Sequence, residues 1–112
     1  MMKLYHYPQC SKSRACLQLL QEKNCTFRVI DYQQEGLKKE ELLDLVALLG
    51  LKALIRENEP LYEELHIQQS SQDEIIELLI RYPKLLQRPI LTKENQALIA
   101  RPPQKALELI DD

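Results

Sequence analysis

The hydrophobic period of the chain changes several times, and each change marks an element. "KLYHY" (3–7) alternates and carries two tyrosines, which predicts a strand. From Ser11 to Glu22 the apolar positions shift to helical spacing, with Cys16, Leu17 and Leu20 on one face and Leu19 beside them. Asn24 supplies a helix stop. "TFRVI" (26–30) alternates again, with Phe27 and Val29 on one side and Arg28 on the other. Strand, helix and strand in close succession predict two parallel strands joined by a right-handed crossover.

The middle of the chain is helical. "KKEELLDLVALLG" (38–50) turns Leu42, Leu45, Val46 and Leu49 inward and ends on Gly50. A short helical piece is expected around Ala53–Arg56, and Pro60 fits the first turn of another, through about Leu65. "SQDE" (71–74) is a capping box opening a helix to about Arg81, which Pro83 closes. In "RPILTKENQALIA" (88–100), Pro89 opens a strand, "KEN" turns and "QALIA" returns, which predicts a β-hairpin. Pro102 and Pro103 start a last helix, to about Ile110. The order suits a thioredoxin-like three-layer α/β/α fold: a four-stranded mixed sheet with helices on both faces, in one domain over residues 1–112.

Composition narrows the function. Apolar residues make up 45% and charged residues 29%, an ordinary globular balance. The net charge of -2 gives no support for nucleic-acid binding. No apolar run approaches the ~20 residues of a membrane span. The N-terminal "MMKLYHYPQC" breaks its apolar stretch with His6 and Pro8, unlike a signal peptide, so a cytoplasmic protein is expected. Three cysteines, Cys10, Cys16 and Cys25, with no C-x-x-C, form neither a disulfide framework nor a dithiol motif. His6 and Cys10 have no second ligand pair, so no metal site is expected.

Cys10 is the candidate for chemistry. It falls on the loop between the first strand and the first helix, at the carboxyl edge of the sheet, where ligands bind in α/β proteins. Free backbone N–H groups and the helix dipole there favour a thiolate over a thiol, and favour a bound anion. Ser11, Lys12, Ser13 and Arg14 add donors and charge. The alternative is a small, half-buried structural residue, against which stand Pro8 and the polar neighbours. Cys16 shares a face with leucines and reads as core; Cys25 reads as structural. His6 reads either as a hydrogen-bonded strand-end histidine or as a donor that helps hold the thiolate.

The combination H-x-P-x-C-x-x-S-R (6–14), followed in order by "ALIREN", "LLQRPIL" and "LIARPP", resembles the arsenate reductases that depend on glutathione and glutaredoxin. The resemblance runs from residue 2 to residue 110. It implies Cys10 as nucleophile, oxyanion-binding arginines at Arg56, Arg88 and Arg101, support from His6, Ser13 and Arg14, and a cis peptide before Pro89. Charge alone does not pick three arginines out of the six present. The family usually has asparagine where this chain has Tyr7. The resemblance further implies arsenate as substrate, glutathione as co-substrate, glutaredoxin as electron-donating partner and no bound cofactor. Two other readings stand beside it: a regulator that binds RNA polymerase, like the Spx branch of this fold family, and a glutaredoxin-like thiol oxidoreductase that does not act on arsenate. Most such regulators carry C-x-x-C, where this chain has Ser13 at the second position.

Overall fold

A computed structural model describes residues 1–110. In chain order the elements are β1 (Met2–His6), α1 (Ser11–Glu22), β2 (Phe27–Asp31), α2 (Tyr32–Glu35), α3 (Lys39–Leu49), α4 (Leu51–Leu54), α5 (Pro60–Glu64), a 3₁₀ turn (Ile67–Gln69), α6 (Gln72–Arg81), a 3₁₀ turn (Pro83–Leu85), β3 (Ile90–Lys93), β4 (Gln96–Ile99), a 3₁₀ turn (Pro103–Ala106) and α7 (Leu107–Ile110). The backbone forms two compact units, one of Met1–Glu35 with the segment from Arg88 onward, the other of Gly36–Gln87.

The first unit carries the sheet, in the order β2-β1-β3-β4. β1 pairs parallel with β2 and antiparallel with β3, and β3 pairs antiparallel with β4. This is the expected four-stranded mixed sheet, and the α1 crossover joins its parallel pair. The alternation of side chains across a strand then sorts the residues. Leu4 and its partner Leu91 pack with Cys16, Leu20, Ala100, Ala106 and Leu109 into one core, so α1 and the C-terminal turns share that face. Tyr5, Ile30 and Ile90, aligned one position along, are buried on the other face.

Sequence reading and structure differ at a few points here. Val29 is 39% exposed, because β2 is the edge of the sheet, and Ile30 is the buried residue of that strand. α2 was not expected. Asp31 starts it: its Oδ1 accepts the Gln34 N–H while the Glu35 carboxylate accepts the Asp31 N–H. Asp31 as a cap residue, with Glu35 four positions on in "DYQQE", is the signal that marks it. The hairpin turn is two residues, Glu94 and Asn95, with Lys93 still paired to Gln96. The stop after α1 is as expected, with Asn24 in the left-handed region at φ 57°.

In the second unit, α3 buries Leu42 and Leu45 and ends on Gly50, whose φ of 86° is one that L side chains rarely adopt. α6 buries Ile76 and Leu79 behind a complete capping box: Ser71 Oγ accepts from the Glu74 N–H, and the Glu74 carboxylate accepts from the Ser71 N–H. The expected helical piece at Ala53–Arg56 is displaced. α4 stops at Leu54, and Ile55 is extended, bridging antiparallel to Leu86. Two backbone bonds of 2.8 Å, Arg56 N–H to the Leu85 carbonyl and Gln87 N–H to the Leu54 carbonyl, flank that bridge. A β-branched residue followed by a partner strand outcompetes one more helical turn.

Candidate active site

Cys10 is the N-cap of α1, with extended backbone at φ -91° and ψ 122°. Its own N–H donates to the Tyr7 carbonyl at 2.9 Å, and its carbonyl accepts the first helical bond from Arg14 at 3.0 Å. The turn over Pro8 and Gln9 is therefore closed on both sides of the cysteine. Arg14, although exposed, tightens it further by donating from Nη1 to the Pro8 carbonyl at 2.8 Å. The helix begins with its unsatisfied N–H groups directed at the thiol.

Those donors act on the sulfur. Desolvation pushes the Cys10 thiol up, but the backbone N–H groups of Ser13 and Lys12 and the side chains of Arg88 and Arg101 outweigh it. The pKa falls from an ordinary 9.0 to about 7. Arg101 Nη1 lies 3.7 Å from Cys10 Sγ and also donates to the Arg88 carbonyl at 2.8 Å. One guanidinium thus ties the thiol to the backbone of the other arginine. The Arg88–Pro89 peptide bond is cis, and so is Arg101–Pro102, which the sequence did not suggest.

Ser13 and His6 form a buried layer beneath the loop. Ser13 Oγ accepts the Tyr7 N–H at 3.0 Å and meets His6 Nδ1 at 2.6 Å, while the Ser13 N–H points at the thiol. Burial lowers the His6 pKa, with Asp31 opposing and Arg14 adding to the effect, so the ring is neutral near pH 7. His6 thus meets the thiol loop through Ser13, whose Oγ it contacts and whose N–H points at Cys10.

Cys10, Ser13, Arg88 and Arg101 therefore come together in the first unit. Arg56 belongs to the second, where the Ile55–Leu86 bridge holds its backbone. Cys16 is fully buried in the core, and burial raises its pKa to about 11, the opposite of Cys10. Among the described residues no cluster of His, Cys, Asp or Glu could hold a metal ion, and no helix is long and apolar enough to cross a membrane. Sequence reading missed the Tyr7 ring, which lies under Arg88 with 4.1 Å from guanidinium carbon to ring centroid. Its only signal was its departure from the asparagine usual in the resembled family.

A thiol titrating near 7, met by two guanidiniums, can act as a nucleophile toward an anion at neutral pH. The thiolate is the reactive form, so alkylation of Cys10 should accelerate as pH rises through about 7, and not through 9.0. Iodoacetamide rates against pH on the intact chain check this. A midpoint at the ordinary value would show that the donors do not activate the sulfur.

The model of the ArsC family matches residues 5–109. An arsenate reductase of Neisseria meningitidis serogroup A is 34% identical over 106 residues, covering 90% of this chain and 91% of that protein. A protein of Escherichia coli K12 named as uncharacterized protein YfgD is 39% identical over 114 residues, covering 97% of this chain and 96% of its own length. The solved structure of an arsenate reductase from Vibrio cholerae superposes with a TM-score of 0.89 at 38% identity, covering 96% of this chain and 95% of that one. The fold is thus the thioredoxin-like one expected from the sequence.

Proposed function

The chain belongs to the ArsC family, and on that premise we propose that it is an arsenate reductase in which Cys10 is the nucleophile and glutathione, with glutaredoxin, supplies the remaining reducing power. The observation that carries this reading is the single sulfur held by the N-terminus of α1 and by Arg88 and Arg101. Arsenate is an anion, and a thiolate approaching it meets like charge. Fixed guanidiniums cancel that repulsion and orient the oxygens through planar forks. Arg56 is assigned as the third such arginine on the strength of the motif "ALIREN".

The chemistry balances with two thiols. Cys10 thiolate attacks arsenic, an arsenate oxygen leaves as water, and a Cys10 sulfur–arsenic(V) bond forms. Reduction to arsenite needs two electrons. A glutathione thiolate that attacks the Cys10 sulfur forms a mixed disulfide, and arsenic leaves with the bonding pair as arsenite. A glutaredoxin dithiol then restores Cys10. No second cysteine of the chain is suited to this step. Cys16 is enclosed in the core. Cys25 lies past the far end of the 12-residue helix α1, and at 1.5 Å per residue that is roughly 18 Å, well beyond the ~7 Å that a disulfide spans.

The test is arsenite formation by the full chain with arsenate, glutathione and glutaredoxin. Activity should vanish when glutathione is omitted, and thioredoxin should not replace it. Turnover with thioredoxin alone would refute the donor, and no arsenite under any donor would refute the substrate.

A further inference from the structure

Tyr7 occupies the place between His6 and Pro8, and its two halves do different work. Its backbone belongs to the thiol loop: the carbonyl accepts the Cys10 N–H and its N–H donates to Ser13 Oγ. Its ring belongs to Arg88, whose guanidinium carbon sits 4.1 Å from the ring centroid. Behind it stands Tyr32, with ring centroids 5.7 Å apart and planes inclined by 51°. Tyr7 is 7% exposed and Tyr32 0%, so the platform is dry. A cation over an aromatic face is held by the ring quadrupole, and more strongly where water is excluded. The tilted ring pair fixes the height and angle of that face. Arg88 in turn offers its carbonyl to Arg101, which reaches Cys10.

We propose that Tyr7 is a positioning residue: its ring, backed by Tyr32, seats the Arg88 guanidinium against Cys10. The inference rests on the reading of Arg88 as an oxyanion-binding residue of the arsenate site. It makes the Tyr7–Tyr32–Arg88 stack a specificity element of this chain, because a seated guanidinium presents its edge, and so its N–H donors, to an anion beside the thiol.

The test uses the purified full chain and needs no arsenate. Alkylation of Cys10 by iodoacetamide is followed against pH in the native protein, in Tyr7→Phe and in Tyr7→Leu. Phenylalanine keeps the aromatic face, so its midpoint should match the native one. Leucine stays apolar but is smaller and has no quadrupole, so Arg88 loses its seat and the midpoint should rise by roughly half a unit to one unit. In an Arg88→Gln background, Tyr7→Leu should add nothing further. Pentafluorophenylalanine at position 7 keeps the ring shape and removes its negative face. It should behave like leucine, and it decides the question if Tyr7→Leu does not fold. A leucine or fluorinated variant that titrates like the native protein overturns the proposal, as does a phenylalanine variant that shifts as far as leucine. In the arsenate assay, the leucine and fluorinated variants should raise KM. A flat alkylation result beside active arsenate reduction sinks Tyr7 alone. A shifted midpoint without arsenate reduction sinks the substrate and leaves the platform standing.

Discussion

Cys10→Ser is expected to abolish arsenite formation, by at least ~10³-fold, with the fold intact. The site is built around a sulfur that ionises near neutral pH, at about 7. A serine hydroxyl in the same place stays protonated, because the donors that stabilise a thiolate cannot bring an alcohol into that range. Serine also forms no disulfide with glutathione, so both steps of the proposed reaction fail together. Cys16→Ala should behave differently. It leaves a small cavity in the core formed with Leu4, Leu20 and Leu91, costs ~1–2 kcal/mol of stability, and leaves turnover per folded molecule unchanged. Cys25→Ser should be close to silent. The measurement is turnover normalised to folded protein by circular dichroism. Loss of activity in folded Cys16→Ala or Cys25→Ser would show that the reaction uses an internal thiol pair, and a stoichiometric internal disulfide in quenched enzyme would identify it.

The sequence carried the elements whose signals are local. α1 runs Ser11–Glu22 as its apolar spacing predicts, and the Ser71 capping box forms as "SQDE" requires. The N-cap position of Cys10 follows from the same reading. Local signals failed where pairing at a distance decides. Ile55 leaves the helix because Leu86 is there to bridge to it. Val29 is exposed because β2 is an edge strand, a fact of topology that alternation cannot reveal. The site divides in the same way. Arg101 meets Cys10 across 91 positions of sequence, and only the resemblance of "LIARPP" pointed to it. The Tyr7 ring under Arg88 has no local pattern at all.

That long-range construction sets the second large expected effect. Arg101→Lys should lower kcat/KM for arsenate by ~10²-fold or more, although the charge is kept. The native guanidinium reaches from Cys10 Sγ at 3.7 Å to the Arg88 carbonyl at 2.8 Å through a single nitrogen, Nη1. Its other donors lie in the same plane and remain for an anion. A lysine ammonium is a point charge on a flexible stem. If it satisfies the carbonyl, it has no rigid fork to present, and if it turns to the anion, the Arg88 backbone loses its partner. The loss should fall mainly on kcat, because negative charge moves from the sulfur onto the arsenate oxygens as the new bond forms. The Cys10 alkylation midpoint should also rise, since Arg101 is among the groups that lower it. Arg28→Lys, at an exposed position of the edge strand β2, is the control for diffuse charge and should leave both readouts at the native value. Native kcat/KM in Arg101→Lys, with lost activity restored to Arg101→Ala by added guanidinium or ammonium salts alike, would mean that positive potential suffices and that the fork geometry plays no part.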